Sequence, residues 1–191
     1  MNSWDKRYSD RVQLLVDILP VLAKETRFAL KGGTAINLFE RDLPRLSVDI
    51  DLTWLPVQDF EADVAAISTA LEQLAELFRV RPLQLQVQTS GSANSGGITR
   101  LICSRGRARV QIETTPVMRG TVHPVRTMVV QPKVEQAFGF AATQVLDFAI
   151  STPENWLQHC PVNTRGICST LVCCWKTNGP TRHCGTPFWC T

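Results

Sequence analysis

The sequence predicts a mixed α/β fold, an α+β arrangement in which a small, largely antiparallel or mixed sheet is flanked by helices. Three observations point to it. Two stretches carry apolar residues at helical spacing, several shorter ones alternate with the period of a strand, and the two kinds interleave as α, β, turn-α, β, α, β, β-hairpin. With 44% hydrophobic and 19% charged residues, 191 residues can bury a sizeable core, and the composition excludes a disordered chain.

Taken in order, Ser9–Lys24 reads as a helix with Val12, Leu15, Leu19 and Leu22 on one face, Ser9 as N-cap and Pro20 ending or kinking it. Phe28-Ala29-Leu30 suits a buried strand that stops at the turn Lys31-Gly32-Gly33, and Thr34–Phe39 suits one or two helical turns. Leu46–Thr53 alternates, with Leu46, Val48, Ile50 and Leu52 on one face and Ser47, Asp49, Asp51 and Thr53 on the other. Asp59–Phe78 is the clearest helix, with Phe60, Val64, Ile67, Leu71, Leu74 and Phe78 in one stripe. Leu83–Gln88 alternates as a strand and Thr89–Gly97 reads as a loop. A hairpin follows, Arg100–Ser104 and Arg107–Thr114 about a turn at Arg105-Gly106. Pro132–Phe138 is expected as a short helix and Ala142–Ala149 as a strand.

The net charge of +3 is too small to announce a nucleic-acid binder. No apolar run reaches the roughly 18 residues of a membrane span, and Asp5, Lys6, Arg7, Asp10 and Arg11 argue against a signal peptide, so a cytoplasmic protein without membrane contact is expected. Cysteine usage divides the chain. Residues 1–150 hold Cys103 alone, whereas Cys160, Cys168, Cys173, Cys174, Cys184 and Cys190 crowd the last 41.

The residues that suggest chemistry lie close together: Gly32-Gly33-Thr34, Ser47 and Asp49-x-Asp51. Two carboxylates at i and i+2 on a strand share a face, with Cβ atoms ~7 Å apart. Such a pair repels itself unless solvated or bridged, and it suits one or two divalent cations. A Gly-Gly turn opening a helix offers backbone N–H groups to a phosphate. Glu113 would complete a three-acid metal set if its strand neighbours Leu46–Thr53, and is otherwise a solvated strand residue. Phosphates held beside metal-bound carboxylates describe a nucleotidyl-transfer site. Six arginines, Arg100, Arg105, Arg107, Arg109, Arg119 and Arg126, either guide an anionic RNA or triphosphate or protect an exposed hairpin edge. His123 before Pro124 suits a loop, and Cys103 a buried strand.

Leu30-Lys31-Gly32-Gly33-Thr34-Ala35 followed by Arg45-x-Ser47-x-Asp49-Ile50-Asp51-Leu52 resembles the AbiEii/AbiGii toxin family of nucleotidyltransferases. These belong to the DNA polymerase beta-like superfamily and act as toxins in type IV toxin–antitoxin and phage abortive-infection systems. The resemblance runs over about residues 10–149, through His123-Pro124, Pro132, Glu135, Phe138-Gly139-Phe140-Ala141 and Val145-Leu146-Asp147-Phe148-Ala149. It implies a polymerase-beta-like fold, with Lys31, Gly32, Gly33 and Thr34 holding the triphosphate of an NTP. It further implies Mg²⁺ on Asp49 and Asp51, Ser47 supporting that loop and Glu113 as the third acid. An RNA acceptor, notably tRNA, and a separately encoded antitoxin complete the implied partners.

The resemblance stops at Ile150. Members of the family continue into a helix with an essential lysine, an Arg-Asp-x-x-Asp motif and a helical C-terminal domain, which this chain is expected to lack. Two parts are therefore expected, a nucleotidyltransferase core over residues 1–149 and an aberrant Cys- and Trp-rich tail over residues 150–191. With one base restored before Ile150 and permitted codon choices, Ile150–Thr170 re-reads as Asp-Leu-Tyr-Ala-Gly-Lys, an apolar helix, then Arg-Asp-Leu-Phe-Asp. The tail is thus expected to be out of frame and activity to be weak. The rival for the tail is a zinc site from Cys168, Cys173, Cys174, His183 and Cys184, but no C-x₂-C pair supports it, and disulfides are disfavoured in the cytosol. Two other readings of the whole chain are a catalytically dead remnant that binds nucleotide or antitoxin, and an antibiotic-type nucleotidyltransferase with a small-molecule acceptor.

Overall fold

The computed structural model describes residues 6–41, 48–91 and 96–147, all within the unit Met1–Phe148. Arg45, Ser47 and everything from residue 148 onward, including the tail cysteines, His183 and Lys176, lie outside the described residues. The elements are α1 (Lys6–Leu22), β1 (Phe28–Lys31), α2 (Gly32–Ala35) running on into a π-helical turn (Ile36–Glu40), β2 (Asp49–Trp54), α3 (Phe60–Arg79), β3 (Gln86–Gly91), β4 (Ile98–Arg105), β5 (Ala108–Arg119), β6 (Arg126–Val129), α4 (Pro132–Phe138) and β7 (Ala142–Val145).

One mixed sheet of seven strands results, in the order β3-β4-β5-β2-β1-β7-β6. β2 runs antiparallel to β1 and parallel to β5, while β4 and β5 form the antiparallel hairpin. Helices α1 and α3 pack on one face. Leu30, Ile50, Leu52, Leu101, Cys103, Val110 and Ile112 from the strands meet Val12, Leu15, Leu19, Ile67, Leu71, Leu74 and Phe78 from those helices in a single core. Burial pushes the Cys103 thiol up to about 12, so it stays a neutral, apolar packing group. Strand alternation sends the residues between these core positions to the opposite face.

Several boundaries differ from those read off the sequence, for physical reasons. Helix α1 begins at Lys6, three residues before the expected cap at Ser9, and runs through Pro20 to Leu22. Pro20 lies in the last turn, where the helix ends two residues later, so little helix is lost with its missing N–H. In α3, Val64, Ile67, Leu71, Leu74 and Phe78 are buried as the stripe requires, but Phe60 is 45% exposed, and the Arg119 guanidinium sits over its ring, 5.3 Å from the centroid. Leu83 and Leu85 are buried ahead of β3, which instead spans Gln86–Gly91 and takes in Thr89, Ser90 and Gly91 from the start of the expected Thr89–Gly97 loop. β5 continues past Thr114 to Arg119, through an irregularity opposite Leu52–Trp54 that contains Pro116 and exposes Val117 and Met118. β6, which pairs with β7, was not anticipated, and β7 ends at Val145. The π-helical turn after α2 is closed by Gln131, whose backbone N–H donates to Leu38 O at 2.8 Å and whose side-chain amide donates to Phe39 O at 2.6 Å. Among the described residues, no helix is long and apolar enough to cross a membrane.

Candidate active site

The sheet register assembles the site. Lys31 on β1 lies opposite Asp51 on β2, Asp51 opposite Glu113 on β5, and Glu113 opposite Arg100 on β4. Directly opposed residues share a face, so these four side chains form one row across four strands, on the face turned away from α1 and α3. Two carboxylates stand in the middle and a cation at each end. Asp49, one pleat along β2, is exposed and lies opposite Gln111.

Gly32 brings the turn against this row. Its φ is +78°, a left-handed conformation that glycine adopts without strain, and a Cβ built on it would meet Asp51 Oδ2 at 2.7 Å. The Asp51 carboxylate thus occupies the space that any other side chain at residue 32 would fill. Thr34 is fully buried, and its hydroxyl donates to the Asp49 backbone carbonyl at 2.5 Å. That bond ties the first turn of α2 to the start of β2 and holds the Gly32-Gly33 turn against the strand that carries the acids.

Electrostatics follows from this crowding. Burial raises the pKa of the half-buried Asp51 carboxyl; Lys31 opposes that rise, while Glu113 and Asp49 add to it. Asp51 therefore senses both other acids across the shared strand face. Glu113 is held differently. Arg100 donates to its Oε1 through Nε at 2.9 Å and through Nη2, and Gln111 Nε2 donates to its Oε2 at 2.9 Å.

A divalent cation can be tested against this donor set. Asp49 and Asp51 offer hard carboxylate oxygens from one strand face, which suits Mg²⁺. Among the described residues, no three His, Cys, Asp or Glu side chains gather at ligand spacing, since Glu113 is turned to Arg100 and Gln111. The expected three-acid set is aligned in register but not drawn together. Ser47 lies outside the described residues.

Four of the six arginines expected to form a basic guide are committed internally: Arg100 to Glu113, Arg105 to Asp17, Arg119 to Asp63 and Arg126 to Asp147. Arg107 and Arg109 at the hairpin are exposed. His123 sits in the loop after β5, where its carbonyl accepts the Thr121 hydroxyl at 2.7 Å. Sequence reasoning missed Arg100 and Gln111 as neighbours of the acids. Counting residues outward from the correct hairpin turn would have found the first, and the i, i+2 spacing of Gln111 and Glu113 the second.

Comparison with known proteins adds two findings. A family model described as nucleotidyl transferase AbiEii toxin, type IV toxin–antitoxin system, matches residues 13–149. Among solved structures, the chain is similar to MenT4, the nucleotidyltransferase toxin Rv2826c from Mycobacterium tuberculosis H37Rv, with a TM-score of 0.51 and 17% identity. That match covers 74% of this chain and 50% of the other, so this chain spans half the length of that structure, and at such identity the likeness is one of fold. No curated protein matches by sequence.

Proposed function

Since the chain belongs to the AbiEii nucleotidyl transferase toxin family of type IV toxin–antitoxin systems, we propose that residues 1–149 form a toxin core built to transfer a nucleotide from an NTP to an RNA acceptor, in the first instance tRNA. The observation that carries this reading is the close approach of Gly32 to Asp51, which sets the Gly-Gly turn directly against a strand acid. In the reaction, an acceptor hydroxyl oxygen bonds to the α-phosphorus while the bond from that phosphorus to the bridging oxygen breaks and pyrophosphate leaves. Lys31 and the N–H groups of the Gly32-Gly33 turn bind the triphosphate, and Thr34 keeps that turn in place through Asp49. Asp49 and Asp51 would hold a divalent cation, which would neutralise charge at the phosphates and acidify the attacking hydroxyl, whose proton leaves to solvent. A separately encoded antitoxin is the expected protein partner, and the cytoplasm the place of action.

Binding is the direct test. Calorimetry with Mg²⁺ and each NTP is expected to show binding to the full chain, weakened at least about tenfold by Asp51→Ala, the scale of one lost charge-assisted contact. Equal, Mg²⁺-dependent binding by the variant would overturn the assignment.

We further propose that the segment from residue 150 onward is read out of its original frame. Supporting this are the simultaneous change in cysteine usage and charge, and the ordered lysine and Arg-Asp motifs in the shifted reading. The gene's nucleotide sequence is expected to encode those motifs in the shifted frame. A chain with the frame restored should transfer label from NTP to tRNA at least about 100-fold faster, the effect of losing a catalytic group. A gene whose shifted frame lacks both motifs rejects the proposal.

A further inference from the structure

We propose that Arg100 is a positioning residue with two stations: it neutralises Glu113 while the site is unloaded, and turns to the nucleotide's phosphates once a divalent cation takes that carboxylate. The proposal rests on the nucleotidyl-transfer reading and adds a residue to it.

Among the described residues, two arginine–carboxylate pairs involve β5, and they differ in burial. Arg119–Asp63 is sealed: the two side chains are 17% and 2% exposed, and Asp63 also accepts from the Trp54 indole and the Gln58 backbone N–H. Arg100–Glu113 is open, with side chains 43% and 38% exposed. An ion pair so accessible to water is held weakly and separates at small cost. Yet it stands in the row of acids, directly across the strands from Asp51. Arg100 places two donors on Oε1 and Gln111 one on Oε2, so a cation that ligates Glu113 through Oε1 displaces Arg100. When Arg100 is the donor released, a planar, permanently charged fork is freed at the rim of the site. Its geometry matches phosphate oxygens, and it faces Lys31 across three strand spacings, ~14 Å. In the same exchange the incoming cation takes over the arginine's place as counter-charge to the acids, and the incoming phosphates give the arginine a new anionic partner.

A structural role for Arg100 and a two-station role give opposite signs. Calorimetry of the full chain with Mn²⁺ alone, and separately with Mg²⁺ and NTP, reads both. For Arg100→Ala we expect cation binding without nucleotide to tighten about fivefold to tenfold, because a competing positive charge is gone. Nucleotide binding should weaken about tenfold, with partial rescue by Arg100→Lys. In a Glu113→Gln background, Arg100→Ala should no longer tighten the cation, since the cycle removes the competed carboxylate. Arg100→Gln carries the same expectations if the alanine variant does not fold. Cation affinity that is unchanged or weaker in a folded Arg100 variant overturns the proposal. If Asp51→Ala leaves Mn²⁺ binding intact, the underlying reading of the site fails instead, which keeps the two outcomes apart.

Discussion

Gly32→Ala is expected to reduce Mg²⁺-dependent nucleotide binding about 100-fold, the size of effect a 1 Å misplacement can have at a reacting site, while costing about 1–2 kcal/mol of stability from the left-handed backbone. The new methyl group would stand 2.7 Å from Asp51 Oδ2 and 3.5 Å from its Cβ and Cγ, so the carboxylate must swing out of the row or the turn must lift away from β2. Either movement separates the phosphate cradle from the acid. Gly106 supplies the control. It has φ +60° at the hairpin turn, but a Cβ there meets nothing within 4 Å. Gly106→Ala should cost a similar amount of stability and leave nucleotide binding unchanged. Thermal unfolding and calorimetry on both variants measure the two effects. Equal binding losses in the pair, or retained binding in Gly32→Ala, would contradict the assignment of the turn.

The second large effect is expected at Asp63, remote from the reacting groups. Its Oδ1 accepts Trp54 Nε1 at 3.2 Å, and its Oδ2 accepts the Gln58 N–H at 2.9 Å and Arg119 Nη1. These contacts join the end of β2, the start of α3 and the end of β5, where Trp54 and Arg119 are register partners. The cluster therefore secures the parallel β2–β5 pairing that places Asp51 beside Glu113. Asp63→Ala leaves the largely buried Arg119 without its counter-charge and should cost about 3–5 kcal/mol, a large part of a domain's stability.

The same residue gives a pH dependence with a definite sign. Burial pushes the Asp63 carboxyl up, but the Gln58 N–H, the Trp54 indole and Arg119 together outweigh it and hold the folded pKa below the ordinary value. Its contribution is therefore present above the unfolded pKa of about 3.9 and is lost as pH falls through the lower folded value. The stability difference between the natural chain and Asp63→Asn should be largest near neutral pH and shrink progressively below about pH 4. Urea unfolding across that range tests it, and a difference independent of pH would remove the ionised Asp63 from the account.

The motif residues were legible because their chemistry is local. Gly32-Gly33 marks a turn, Asp49-x-Asp51 marks one strand face, and both need a few residues of context. Arg100 was not legible, and the cause is a single turn residue. A hairpin turn at Arg105-Gly106 pairs Ser104 with Arg107 and sets Arg100 opposite Gln111. The structure turns at Gly106-Arg107 instead, with left-handed Gly106 first, as a type II′ turn requires, and Arg100 falls opposite Glu113. Phe60 was misplaced for a different reason. Helical spacing put it on the buried stripe, but the ring lies in the first turn of α3, half-exposed, with the Arg119 guanidinium over it. Ser9 likewise has the chemistry of a cap, yet it lies inside α1, where helical backbone already extends over Lys6, Arg7 and Tyr8.

By itself, then, the sequence determined the α/β class, the stripe of α3, the β1–turn–α2 unit and the identity of the acids, since hydrophobic period and turn chemistry are set within a few residues. Tertiary structure decided which strands are neighbours. The parallel alignment of β2 with β5 puts Asp51 beside Glu113, and the hairpin register gives Glu113 to Arg100. Strand pairing depends on long-range burial and on the count of residues in each turn, and a local pattern carries neither.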